Sequence, residues 1–464
     1  MSLLIYTLRN VAGAIIAPPL VFLLITLIIM LHLKNKKIVA MQKITLGGSV
    51  NSSIELTLSQ LVLGIVGGCI GSIILTSLGV VFSTNSGIEY LFIISILLMF
   101  IKPRLICFSY SGAILGAISI FINLASQFVP ELSNVTIFNI DILYLIIFIG
   151  VFHIIEGVLV MIDGDRGAVP VFTNKEGKIL GGYALKRYWA LPVAIMIAIT
   201  MKDSSLNYVT ESIQNPDWWP LIKSSSGLSL IASSAISILP FYTVLGYSSI
   251  TFTRSKKEKA MSSGYHILIY GIILTLVAQI TRFGIWSEAI AIIFMPFAHE
   301  FMLKLQIKSE EKRKPKFVSD EEGLIVLDIS TDSQVRKFGV DVGSKLLSIN
   351  NKNINSESES YSILKANWYN AILKIKDSKG IVREIEFRHN KNTRLGMLLV
   401  PRSVDKEDVI PVKDSSFKSV FSKLKNSEQE EKYKIEENKE YKEDKINEDK
   451  TNQDEENKDK NNII

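Results

Sequence analysis

Cysteine is almost missing: the chain has 464 residues and two cysteines, Cys69 and Cys107, each inside an apolar run. That excludes a disulfide framework and a Cys-x-x-Cys metal site. Each cysteine then reads as a small buried apolar residue. Histidine is nearly as scarce, with five in all. An intramembrane zinc protease of the site-2 type needs His-Glu-x-x-His, because two imidazoles four residues apart on a helix face one ion. The one His-Glu pair is His299-Glu300, and Leu303 stands where the second histidine would fall. No catalytic motif survives, and no enzyme, cofactor or metal is expected. A concentrated basic face is also lacking. The formal net charge is +6, but the basic residues form short clusters between apolar segments, so no nucleic acid partner is expected.

Long apolar runs are what the chain has. Hydrophobic residues make up 48% of it and are concentrated before Lys308, whereas almost no apolar run follows Asp405. Nine runs are candidate membrane helices: Val11 to Leu33, Leu58 to Phe82, Ile88 to Ile101, Leu105 to Ala125, Ile137 to Ile162, Trp189 to Met201, Leu228 to Phe252, Tyr265 to Thr281 and Ile285 to Leu305. The third and sixth are short enough to be re-entrant, which makes eight the alternative count. The first is followed by Lys34, Lys36 and Lys37 and reads as a retained helix rather than a cleaved signal. Basic clusters follow the first, third, fifth, seventh and ninth runs, and the positive-inside rule then puts the N-terminus outside and the C-terminal part in the cytoplasm.

The expected fold class is therefore an α-helical polytopic membrane bundle of 8–9 spans, followed by a small α+β domain and a disordered tail. The bundle occupies residues 1–305 and a basic juxtamembrane linker 306–316. The small domain covers 317–402, and the tail 403–464 is rich in Lys, Glu, Asp and Asn. Within the small domain, Gly323 to Ile329, Lys345 to Ile349, Ile372 to Ile375 and Val382 to Phe387 read as strands. Ser333 to Phe338 and Glu359 to Asn367 read as helices.

Gly323-Leu-Ile-Val-Leu-Asp-Ile329, Phe338-Gly-Val-Asp-Val-Gly-Ser-Lys-Leu-Leu-Ser-Ile-Asn-Asn351 and the helix near Tyr361 together resemble a PDZ domain of the bacterial type. The resemblance implies a peptide groove between Gly323, Leu324, Ile325 and Val326 on one side and Tyr361, Leu364 and Lys365 on the other. An incoming segment would add there as a strand. Ser344 replaces the Asp usual in that family and Asn351 the Gly, and Asp320, Glu321 and Glu322 crowd the loop that would hold a terminal carboxylate.

Three further stretches are His153-Ile-Ile-Glu-Gly157, Gly181-Gly182 through Lys186-Arg-Tyr-Trp-Ala-Leu-Pro192, and Arg394-Leu-Gly-Met-Leu-Leu-Val-Pro401. With the multi-span architecture they resemble the MinJ-like cell-division proteins of Gram-positive bacteria. That resemblance implies a scaffold at the septum or poles linking a DivIVA-type protein to MinD. Besides the lipid bilayer and these protein partners, a homo-oligomer is open, since Gly64/Gly68, Gly67/Gly71 and Gly112/Gly116 form GxxxG pairs that serve either a dimer seam or packing within one chain. His153 and Glu156 share a helical face inside a span and motivate the alternative, a transporter with a regulatory PDZ domain. Trp189, Trp218 and Trp219 read as membrane-interface anchors, and Asp163-Gly-Asp165 as a turn.

Overall fold

The structure, a computed structural model, describes residues 2–46, 48–129, 138–175, 177–200, 216–366, 370–387 and 395–402. The tail expected to be disordered lies outside them. Helix α1 (Leu3–Ile16) and helix α2 (Leu20–Leu46) are bent by 67° at Pro18-Pro19, inside the first expected span. Helix α3 (Ser53–Leu78) opens on a reciprocal cap between Ser52 and Glu55 and closes on Gly79 at φ 78°, a left-handed position suited to glycine. Strand β1 (Val81–Ser83), helix α4 (Tyr90–Ile101), a 3-10 turn (Pro103–Ile106), helix α5 (Phe108–Ser126) and helix α6 (Ile142–Asp163) follow. Among the described residues five helices are long and apolar enough to cross a membrane: α3, α5, α6, helix α8 (Lys256–Val277, extended by a 3-10 turn to Phe283) and helix α9 (Ile285–Glu311). The α1–α2 pair is a sixth if it forms one broken span.

Among the described residues the count is thus five or six, against the 8–9 expected. Helix α4 has 12 residues, or about 18 Å at 1.5 Å per residue, against a hydrocarbon core of about 30 Å. The sixth and seventh expected spans are not helices. Apart from the short helix α7 (Ser225–Ser233), they form an antiparallel hairpin of β3 (Lys178–Thr200) and β4 (Ser234–Thr251), paired from Tyr183↔Thr251 to Thr200↔Ser234. Alternation explains it: Val193, Ile195, Ile197 and Ile199 interleave with Ala194, Met196 and Ala198, and Pro192 and Pro240 would each interrupt a helix interior. Strand β1 pairs parallel with β3, and β2 (Val169–Lys175) belongs to the same sheet.

An open hairpin at membrane depth is tolerated only where protein covers it, and α3 supplies the cover. A Cβ at Gly64 or Gly68 would lie closer than 3.0 Å to the carbonyl of Ala190 or Pro192, and the peptide N–H of Ala194 donates to Ser72 Oγ at 2.9 Å. The glycine stripe therefore admits a strand backbone on one side, while Gly67 and Gly71 face Ile155 of α6 on the other. Helices α6 and α8 run antiparallel in backbone contact, with Gly150 against Gly271 and Gly157 against Gly264.

Beyond α9, which continues through most of the expected linker, lies a separate six-stranded sheet. It comprises β6 (Leu324–Ile329), β7 (Lys345–Ile349), β8 (Lys352–Asn353), β9 (Ala371–Lys376), β10 (Val382–Phe387) and β11 (Met397–Leu399), ordered β10-β9-β7-β6-β11 with β8 on β7. Helix α10 (Glu357–Ala366) packs on it. Leu324, Val326, Leu346, Ile349, Leu364, Leu373, Met397 and Leu399 form its core. The preceding strand β5 (Phe317–Val318) pairs with Gly181 and Leu180 of β3, so the long hairpin and the sheet domain are joined through backbone.

Candidate functional sites in the sheet domain and the helix bundle

The groove residues sit around β6 as follows. β7 flanks one edge of β6 and β11 the other. The peptide groups of Ile325 and Val326 are all engaged: Ile325 N donates to Ser319 Oγ (2.9 Å), Val400 N to Ile325 O (2.9 Å), Val326 N to Ser344 O (2.8 Å) and Gly343 N to Val326 O (2.8 Å). A fully bonded strand has nothing to offer an added one. A Cβ on Gly323 would meet the Leu346 carbonyl at 2.6 Å, so this glycine permits close strand packing. Of the helix residues, Leu364 is 1% exposed and belongs to the core, whereas Tyr361 and Lys365 face outward.

The acidic loop before β6 is neutralised rather than repulsive. Lys345 bonds both Asp320 and Glu322, Lys376 bonds Glu322 at 2.6 Å, and the Arg402 guanidinium donates to the carbonyls of Asp320 (2.8 Å) and Glu321 (3.0 Å). Partial burial pushes the Asp320 carboxyl up, but the hydrogen bond and charge of Lys345 outweigh it and hold the group below the usual carboxylate range.

An ion pair and a tyrosine hydrogen bond tie this domain to the bundle, and further ion pairs and hydrogen bonds brace the bundle itself. Lys256, in the first turn of α8, pairs with Asp328 of β6. Tyr183 donates to the Leu327 carbonyl, and its ring stands edge-on to Phe317 at 5.7 Å. Glu310 Oε1, near the end of α9, accepts from Thr251 Oγ1 (2.6 Å), Phe252 N (3.0 Å) and Thr253 N (3.1 Å), tying α9 to the β4–α8 turn. Deeper in, Asp163 at the end of α6 accepts from Arg187 and from Trp189 Nε1 (2.9 Å), and all three are buried. Asp163 is thus an ion-pair centre rather than a bare turn residue. Trp189 is a buried donor rather than an interface anchor. Trp219 is likewise buried, donating to the Thr76 carbonyl at 2.8 Å, and Trp218 is exposed.

A second cluster lies about midway along α6 and α9. Cys107 Sγ is 3.0 Å from His153 Nε2, and ligand atoms of Cys107, His153 and His299 all lie within 4.8 Å of one another. The rings of His153 and His299 are 6.0 Å apart. Ser109, Tyr110 and Tyr270 surround them. Glu156 lies one turn beyond His153 on α6. His153 and Glu156 stand out in the sequence as ionisable residues within a span. Cys107 and His299 do not, because ligands drawn from three separate elements leave no spacing motif.

Compared with known proteins, the chain matches no family model, no curated protein and no solved structure.

Proposed function

We propose that this protein is a membrane-embedded scaffold whose sheet domain, on the cytoplasmic side, recruits protein partners to a fixed place on the membrane. The observation that carries the reading is the anchoring of that domain: β5 pairs with β3, and Lys256 reaches the buried Asp328. A domain held in one orientation beside the helices suits placement of a partner. Basic clusters support the cytoplasmic assignment. Lys34 to Lys43 on α2, Arg254 to Lys259 at the start of α8, and Lys308 to Lys316 from the last turn of α9 onward all belong to the end of the bundle that carries the sheet domain. Positive residues favour the cytoplasmic face.

The resemblance to PDZ and MinJ-like proteins supplies the partner class, a DivIVA-type polar protein and MinD, with septum placement as the process and no catalysis assigned. Since β7 and β11 flank β6, recruitment uses the outward side of α10, with Tyr361 and Lys365, rather than strand addition onto Gly323 to Val326. A photo-crosslinkable residue at Tyr361 of the full chain, in membranes of the source cell, tests this. Crosslinking to a division-site protein, lost in Lys365→Glu, is the expected result. Crosslinks only to lipid, or to proteins unrelated to division, would count against it.

A further inference from the structure

Hydrogen-bond donors and acceptors around His153 and His299 determine which ring nitrogens are free. His153 Nδ1 lies 2.7 Å from the Ile149 carbonyl. A carbonyl only accepts, so Nδ1 carries a proton, and in the neutral ring Nε2 keeps its lone pair. Tyr110 gives its single hydroxyl proton to Glu300 Oε1 at 2.6 Å. Its oxygen, 3.1 Å from His299 Nδ1, must then accept from that nitrogen, which again leaves Nε2 as the lone-pair nitrogen. Tyr270 donates to the Met295 carbonyl at 2.8 Å and so accepts from Ser109 at 2.7 Å. The Ser109 proton is thereby directed away from His153 Nε2. Two imidazole lone pairs and one thiol remain, gathered from three elements at one point.

We propose that Cys107, His153 and His299 bind one transition-metal ion of the zinc class inside the helix bundle. The ligand set argues for the class: a thiolate and two imidazoles suit zinc, cobalt or copper, whereas magnesium and calcium take oxygen ligands. Distance agrees. A tetrahedral zinc ion, with Zn–S about 2.3 Å and Zn–N about 2.0 Å, keeps its ligand atoms roughly 3.3–3.6 Å apart. The three atoms, within 4.8 Å of one another, reach that spacing by shifts of about an ångström. The surroundings agree as well, since a metal-bound histidine usually donates its other N–H to a carbonyl or toward a carboxylate. His153 does the first through Ile149, and His299 the second through Tyr110 and Glu300. Three protein ligands leave a fourth position for water or a further group. This site is independent of the scaffold reading and uses none of its residues.

Cobalt titration of the full chain in detergent, after chelator treatment, is the test, with Cys69→Ser as the background that removes the other thiol. One cobalt per chain is expected, with the visible bands of a tetrahedral site and a thiolate-to-cobalt charge-transfer band. Cys107→Ser abolishes that charge-transfer band. Tyr110→Phe, which keeps all three ligands, weakens binding about tenfold to a hundredfold while retaining it. Zinc displaces the cobalt and bleaches the spectrum. Substoichiometric cobalt, or a band that survives Cys107→Ser, would overturn the proposal. Should Cys107→Ser fail to fold, the proposal stands or falls on Tyr110→Phe, and unchanged affinity there overturns it.

Discussion

Lys256 Nζ lies 3.1 Å from Asp328 Oδ2, and the Asp328 side chain is 1% exposed. One ion pair therefore joins the start of α8 to the middle of the sheet domain. Removing only the lysine strands a buried carboxylate, which costs about 3–5 kcal/mol. Lys256→Ala should accordingly destabilise the docked domain more than Asp328→Asn. The double variant should be milder than the sum of the singles. Limited proteolysis after α9, near Lys314, reads the release of the domain; equal resistance of Lys256→Ala and wild type would refute the anchoring role.

Glycines in α3 offer a graded comparison. Gly68→Ala places a methyl group against the Pro192 carbonyl, an overpacking that costs about 1–3 kcal/mol. Gly13→Ala in α1 meets nothing within 4 Å and should gain about 0.5–1 kcal/mol from helix propensity. Melting of the detergent-solubilised protein should move in opposite directions for the two variants.

Leu364 and its helical neighbours separate folding from recognition. Leu364→Glu puts a carboxylate in the core of the sheet domain and should cost at least the 2–5 kcal/mol or so of a Leu→Ala truncation. Lys365→Glu, on the outward side of α10, should leave melting unchanged while reducing partner crosslinking. Loss of melting temperature in Lys365→Glu would remove it from the recognition surface.

The Asp320–Lys345 pair sets a pH dependence. A carboxyl held below its usual range contributes stability above the unfolded value, and the contribution is lost as pH falls through the folded one. The melting difference between wild type and Lys345→Met should therefore shrink between about pH 5 and pH 3. Because the pair is partly exposed the effect is small, about 1 kcal/mol or less. A difference that grows on acidification would contradict the assignment.

Sequence patterning revealed the long apolar helices, such as α6 and α8, by the length of their runs, and the short alternating strands β6, β7, β9 and β10. It misread the run beginning at Trp189, a strand as far as Thr200, because an apolar run carries little information about period when both faces are buried. Only the Ala/Ile alternation and Pro192 marked it as a strand. For the same reason the GxxxG pairs announced close packing without saying that a strand, rather than a helix, would fill the groove. The Cys107–His153–His299 cluster was illegible as a motif, since its members are 46 and 146 residues apart in sequence and meet only through the packing of α5, α6 and α9. His299 was discounted for lacking a partner at Leu303. Its nearest ring partners are instead Tyr110 and Tyr270, from α5 and α8.

Septum position in a strain lacking this chain tests the scaffold reading most directly. Placement of a division protein on the membrane predicts misplaced or missing septa, with filamentous cells or minicells, restored by the full chain but not by Lys365→Glu. Septa at their normal positions in the deletion strain would contradict it.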